Sequence, residues 1–542
     1  MSLSCHFFVE SSTRLCPLGA DLIGLHPPRS SLRPPRSLHT KDVPWEGVWA
    51  CPSADVHERW FDLIEKFLLA ITVLILTGIS PAQTLQTLTH QPPAAVGMSF
   101  LLTDGTVMFQ GNNVASWYKL TPDNTGSYLK GTWTQLASLP SGYAPDAFAS
   151  AVLADGRVLV EGGEYNNGGF VLTNKGAIYD PKANAWTAVA PPTGWTTIGD
   201  SPSVVLPNGT FVLGNKLTKD MAALDPATLT WTALPSTRKK DFDAEEGWTL
   251  MPDGTILTFD VKSAPHAERY LPTLLRWMTA GSTIVDLHSP TDIQGCINYP
   301  GGCYFPPGEV GPAILRPDGT VFATGSFTNG GAGPGHTAIF HPGPKLTSKG
   351  TWTVGPDFPN GDNAGDSWAA LLPNGNVLVA GNLGRFYEFD GTNLNFTLSG
   401  YGALMTLPNG QVLVSGNQVQ LYVPTGTYLP TWAPTISSSP GTITRGSTYS
   451  ISGTQFNGLS QAASFGDEFE TSTNYPLVRI TNKASGHVFY ARTHDHSSMG
   501  VATGTAIVST NFDVPTGAET GTSSLEVVAN GIPSAAVTVT VN

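Results

Sequence analysis

Along most of the chain, short runs of small and apolar residues meet an Asp-Gly or Asn-Gly pair and then resume as an alternating apolar strand ending in glycine. Residues 150–163, SAVLADGRVLVEGG, are the clearest copy. The pair recurs at Asp104-Gly105, Asp155-Gly156, Asn208-Gly209, Asp253-Gly254, Asp318-Gly319, Asn374-Gly375 and Asn409-Gly410, seven copies in all. Between apolar runs such a pair predicts a β-hairpin with a two-residue type I′ loop, which requires positive φ at both central positions.

The turn glycines fall 35 to 65 positions apart, around the period of β-propeller blades. A third strand often ends in a Pro turn, at Pro181, Pro226 and Pro342, and a fourth carries Trp133, Trp186, Trp231 or Trp352. The pattern resembles the kelch motif, although only Gly162-Gly163 keeps its double glycine; Gly214-Asn215, Gly381-Asn382 and Gly416-Asn417 stand in elsewhere. Residues 84–92 (TLQTLTHQP) match 132–140 (TWTQLASLP) in spacing, so they read as a fourth strand with no blade before it. The seventh unit lacks a clear fourth strand, and the N-terminal segment is expected to complete it and close the ring, which removes exposed sheet edges. A long insertion between the fourth and fifth turns (255–318) is expected to build over one face. After Trp432-Ala433-Pro434 the texture changes to short alternating strands with Ser, Thr and Gly turns, predicting an immunoglobulin-like sandwich. The expected fold class is all-β: a seven-bladed kelch-like β-propeller over 83–428, then an immunoglobulin-like β-sandwich over 429–542.

Composition agrees: 40% hydrophobic residues, 13% charged, 59 Gly and 43 Pro fit a turn-rich all-β chain. A formal charge of -13 argues against a nucleic-acid partner, which needs a basic face. Residues 1–58 are irregular and rich in Pro, Arg and Ser. They are followed by a charged flank, the apolar run FLLAITVLILTG at 67–78 and small residues before Gln83, the pattern of a secretory signal over 59–82 cleaved after Ala82. The reading is therefore a secreted, monomeric protein free of the membrane, with translation expected to start inside the leader, near Val56. The mature chain keeps only Cys296 and Cys303, and in an oxidising compartment this pair is expected to form a disulfide.

The order of signal, ring and C-terminal domain is similar to that of the galactose and glyoxal oxidases, the copper radical oxidases, and the likeness extends over roughly 83–542. Its most specific local piece is Arg492-Thr493-His494. The resemblance implies that His494 supplies one copper ligand, reaching up the propeller axis. The family's Tyr-His pair is replaced here by Gly365-Asp366, and Ala147 and Phe148 stand where its cross-linked cysteine belongs. Tyr401 does occupy the analogous position in blade seven. Copper(II) favours several imidazole and phenolate ligands in a square arrangement, which one histidine and one tyrosine do not supply, so copper is not expected.

What replaces those residues is acidic. Nine or ten positions before five turn glycines stand Asp146, Asp200, Glu245, Glu309 and Asp366. In a propeller these positions enter the innermost strands and converge at the mouth of the central channel. Carboxylates gathered there raise one another's pKa unless a cation or a basic side chain neutralises them. The expectation is a site for Ca2+ or for a cationic or polyhydroxylated ligand, with His494 and His496 opposite; the alternative is that each acid caps its own loop. No GxSxG elbow, HExxH pair or phosphate loop occurs. Two functional classes follow: a binding module for glycans or other surface ligands, or an enzyme, either carbohydrate-active or an oxidase with an altered metal site.

Overall fold

Each Asp-Gly or Asn-Gly pair does form a hairpin, but of a different turn type from the one expected. In a computed structural model, which describes residues 82–112, 114–289, 295–326, 334–466 and 470–542, only the glycine takes positive φ, as at Gly156 (83°) and Gly209 (86°). Gly156 N–H donates to Leu153 O at 2.8 Å and Leu153 N–H to Arg157 O at 2.8 Å, a type I turn closed by a left-handed glycine. The acid before the glycine accepts from the amide two residues on: Asp155 Oδ1 from Arg157 N, Asp104 Oδ1 from Thr106 N, Asp318 Oδ1 from Thr320 N. This carboxylate-to-backbone bond explains Asp or Asn at that position without positive φ. The leader and the export signal up to residue 81 lie outside the described residues.

Among the described residues the hairpins extend into seven antiparallel meanders of four strands, one of which gains a fifth strand from the C-terminal region. Blade one runs Val96–Leu101, Val107–Gly111, Trp117–Thr121, Thr132–Leu136. Its second strand is wholly buried, whereas the fourth is mostly exposed. Blade seven is Ala403–Thr406, Val412–Ser415 and Val419–Val423, completed by Thr84–Thr87 with Thr84 opposite Val423. Closure by the N-terminal strand is thus present.

The fourth-strand tryptophans tie one blade to the next. Trp186 Nε1 donates to Ala137 O (3.1 Å), Trp231 to Ala190 O (2.7 Å) and Trp352 to Ala280 O (3.0 Å). Trp133 donates to His90 O at 2.9 Å, just past the N-terminal strand. Blades five and six meet through Phe322 on Phe389, stacked at 3.8 Å. Ser415 Oγ on Gly97 O (2.9 Å) joins blade seven to blade one. Part of the 255–318 insertion is blade four itself, including His266–Leu271 and Arg276–Ser282. Trp277 is that blade's fourth-strand tryptophan, bonded to Met221 Sδ of blade three at 3.1 Å.

Among the described residues the C-terminal strands form a nine-stranded curled mixed sheet, antiparallel except where Thr442–Ile443 lies beside Thr540–Val541. Its core holds Ile451, Val478, Ile480, Phe512, Leu525, Val527 and Val539. The domain seats on the hairpin-turn end of the first blades, with Thr493 N donating to Thr103 O, His496 N to Ala154 O and Met499 N to Pro207 O.

Candidate functional site at the channel mouth

Two of the five acids bond a single basic side chain absent from the sequence-based site, and a third, Asp366, feels its charge. Lys216 Nζ, 0% exposed, is bonded to Asp200 Oδ2 and, at 2.5 Å, to Glu245 Oε1. Tyr304 Oη donates to the same Glu245 oxygen at 2.6 Å, and its ring centroid lies 4.9 Å from the ammonium. Burial opposes the charge on Lys216, but Asp200 and Glu245, then Tyr304 and Glu164, hold its pKa well above the ordinary value. Glu164 is buried and pushed up to about 7, burial and the charges of Glu245 and Asp366 overcoming Lys216. Asp366 is raised to about 6 by burial and Glu245, against a side-chain hydrogen bond with Glu309 and the charge of Lys216.

The loops that present these acids are unusual in their backbone. Ala147 (φ 48°), Glu245 (φ 58°) and Asp366 (φ 47°) occupy the left-handed region, where a non-glycine residue is uncommon and costs of order 1 kcal/mol or more. Asp146 stands in a separate small sheet with Tyr165–Asn166 and Gly169–Phe170, and burial raises its pKa against a hydrogen bond from Ala147 N–H. The Phe170 ring lies 6.4 Å from Tyr304.

The mouth therefore has two halves. In one, Asp200, Glu245 and Tyr304 are 4%, 5% and 3% exposed and enclose Lys216. In the other, Glu309 and Asp366 are half-buried and Tyr401, whose hydroxyl senses the charge of Asp366, is 48% exposed.

The two histidines are not at this mouth, which corrects their expected place. Arg492 Nη2 donates to Asp155 O at 2.7 Å and His496 N to Ala154 O at 3.0 Å, so this segment meets the turn end of blade two. Asp146 instead precedes the strand Ala149–Val152, whose far end leads into that turn. His494 is held by Asp495 (2.7 Å) and Asp513 (3.2 Å). His496 is buried, its Nδ1 bonded to Thr510 Oγ1 at 2.8 Å, and burial lowers its pKa to about 3. The C-terminal segment that does run among the innermost strands is 460–466. Ala463–Ser464 pairs with Ala369–Ala370 of blade six, Phe465 packs on Trp368 at 4.6 Å, and Gln461 Oε1 accepts from Leu250 N of blade four. Among the described residues no group of three His, Cys, Asp or Glu side chains is placed to hold a metal ion. The donor set does not fit copper, and the cation that meets Asp200 and Glu245, where Ca2+ was expected, is the ammonium of Lys216. Cys296 and Cys303 do form a disulfide, with Cα atoms 5.5 Å apart.

Sequence reasoning missed Lys216, Glu164 and Tyr304. Two of them had a signal: Glu164 follows Gly162-Gly163 and Lys216 follows Gly214-Asn215, the motif positions where the second strand returns to the mouth. Tyr304 follows Cys303 in the insertion and had none.

No protein-family model matches the chain, and no curated protein matches it. Among solved structures, a fungal alcohol oxidase of the AA5 family, solved in complex with copper, is 14% identical over 86% of this chain and 100% of its own, with a TM-score of 0.47. YjhT is 15% identical over 62% of this chain and 99% of its own, TM-score 0.37. Virginiamycin B lyase from Staphylococcus aureus, in a catalytically inactive form with quinupristin, is 11% identical over 63% of this chain and 100% of its own, TM-score 0.42. Likenesses at this level decide nothing about chemistry.

Proposed function

We propose that the chain is a secreted, monomeric kelch-type propeller with an immunoglobulin-like C-terminal domain, and that the open half of its channel mouth binds a polyhydroxylated ligand of the glycan class. The observation that carries this reading is that two half-buried carboxyls, Glu309 and Asp366, stand together beside the exposed ring of Tyr401. A carboxyl raised to about 6, as at Asp366, is partly protonated near neutrality and offers both a donor and acceptors to sugar hydroxyls, and a phenol ring offers an apolar face with a polar edge. The left-handed backbone at Asp366 supports it, since such strain gathers at binding and active sites. The disulfide supports an oxidising compartment.

Calorimetry and saturation-transfer NMR against a panel of neutral oligosaccharides test the reading. Asp366→Asn and Tyr401→Ala are each expected to weaken binding about ten-fold or more, as loss of a charged hydrogen bond or an aromatic contact does. A panel in which nothing binds, or binding that both variants leave intact, sinks it. One observation favours a second reading, a carbohydrate-active enzyme: Glu164 and Asp366 titrate at about 7 and about 6, within reach of general acid catalysis near neutrality. Release of new reducing or unsaturated ends from a bound oligosaccharide would select it.

A further inference from the structure

The sealed half of the mouth raises a question of access. Lys216 is wholly buried under an aromatic patch in which Leu172, Ala244 and Tyr304 pack with Phe170, Ile297 and Tyr299. Three of these side chains, Ile297, Tyr299 and Tyr304, come from one hairpin, Ile297–Tyr299 paired with Gly302–Tyr304. Among the described residues this hairpin is a two-stranded sheet on its own, bonded to no blade strand. Two strands with three register pairs are marginal in water without further support. Besides its packing in that patch and the Ser289–Glu309 bridge outside it, two contacts hold the hairpin: the grip of Tyr304 on Glu245 and Lys216, and the Cys296–Cys303 bridge across the strands. The bridge is at the surface, with Cys303 exposed and Cys296 half-buried, so a thiol in solution can reach it.

We propose that the 295–305 hairpin is a thiol-sensitive cover over the Lys216 cage, closed when the cysteines are oxidised and lifted when they are reduced. Two equivalents of a small thiol attack the bridge in turn: the protein S–S bond breaks, both cysteines become thiols, and the reductant leaves as its own disulfide. The hairpin then loses the cross-link that limits its open conformations. When it lifts, Tyr304 releases Glu245, and an ion-paired ammonium with two carboxylates becomes part of the mouth. The regulatory consequence rests on the reading of the mouth as a ligand site; the opening itself does not.

The test therefore reads the hairpin without any ligand. The full chain is reduced with dithiothreitol and capped with iodoacetamide, then followed by hydrogen exchange and by nitration with tetranitromethane. Amides of 296–304 are expected to exchange about ten-fold faster or more, as local opening does, and Tyr304 is expected to become nitrated. Peptides over 96–101 and 403–406 stay unchanged. The double variant Cys296→Ser/Cys303→Ser is expected to show the same exchange and labelling with no reductant, and dithiothreitol should then have no further effect. Unchanged exchange and labelling after reduction overturn the cover, as does free exchange of the hairpin in the oxidised protein or loss of the blade strands along with it. A glycan panel with no binder sinks the ligand reading alone, whereas an unresponsive hairpin sinks the cover alone.

Discussion

Two buried lysines, Lys216 and Lys239, are caged by carboxylates supplied in part by one short segment, Asp243–Glu246, yet the cages differ in balance and position. Glu245 turns to Lys216 at the channel mouth, and its neighbour Glu246 bonds Lys239 at 2.7 Å inside blade four. Lys216 answers two carboxylates and a tyrosine. Lys239 also faces Glu268 (3.4 Å) and Asp243 (3.7 Å), feels Asp260, and lies 4.8 Å from the Trp277 ring. Burial, against the pull of Lys239, pushes Asp243 up to about 7 and Glu246 well above the ordinary carboxyl range. The first cage sets two carboxylates against one ammonium under a separate hairpin; the second sets three against one, with Asp260 near, and relies more on protons. The same residue types thus make a candidate ligand site in one place and a proton-dependent structural element a short step along the chain.

Removing each lysine is the strongest way to break this contrast. Lys239→Met leaves several buried acids without their counter-ion and is expected to cost about 3–5 kcal/mol, or to prevent folding. Lys216→Met is expected to cost less, about 3 kcal/mol at the low end of the same range, and to leave the blades folded. Urea denaturation measures both; a larger loss at Lys216 would invert the ranking.

The pH profile sharpens the contrast at smaller scale. A folded-state pKa of about 7 for Asp243, above its ordinary 3.8, means that the native chain binds this proton more tightly than the unfolded chain. The stability it lends is present at low pH and is lost as pH rises through about 7, with a slope of up to roughly 1.4 kcal/mol per unit. Asp243→Asn is expected to flatten that slope between about pH 4 and 7. His496 acts oppositely: its folded pKa of about 3 lies below the ordinary 6.5. Its contribution is therefore present above about 6.5 and lost as pH falls toward 3, and His496→Gln should remove that acid-side loss. Denaturation midpoints across roughly pH 3–8 check both signs. The smallest effect is expected from Tyr304→Phe, about 1.5–3 kcal/mol for one hydrogen bond to a charged carboxylate, with dithiothreitol then accelerating exchange in 296–304 less than in the unaltered chain.

The repeating turns made the blades legible, because a period-two apolar pattern and a local Asp-to-amide bond both leave marks within a few residues. The turn type was misjudged for the same local reason: Asp155 is selected by the amide of Arg157, not by its own φ. The acids at blade entries were legible as a periodic set. Their counter-ion was not, since pairing Lys216 with Asp200 and Glu245 depends on two loops meeting from different blades. The histidines were misplaced because a motif likeness carried the backbone of another family's axial segment; here residues 460–466 take that path and the hydrogen bonds of Arg492 hold 492–496 at the far end. The curled C-terminal sheet keeps the expected strand spacing, but where one sheet ends and another begins depends on edge pairing that alternation alone does not encode.

The N-terminal strand that finishes blade seven sets an order of assembly. Its neighbour Gln91 bonds Val419, 328 positions away, so a segment made early on the ribosome has no partner until most of the chain has followed. Contacts so distant in sequence fold slowly, and the unmatched flank of blade seven stays open to other strands in the meantime. A nascent copy therefore passes through a long interval in which a chaperone or a second copy can compete for the position that Thr84–Thr87 later takes.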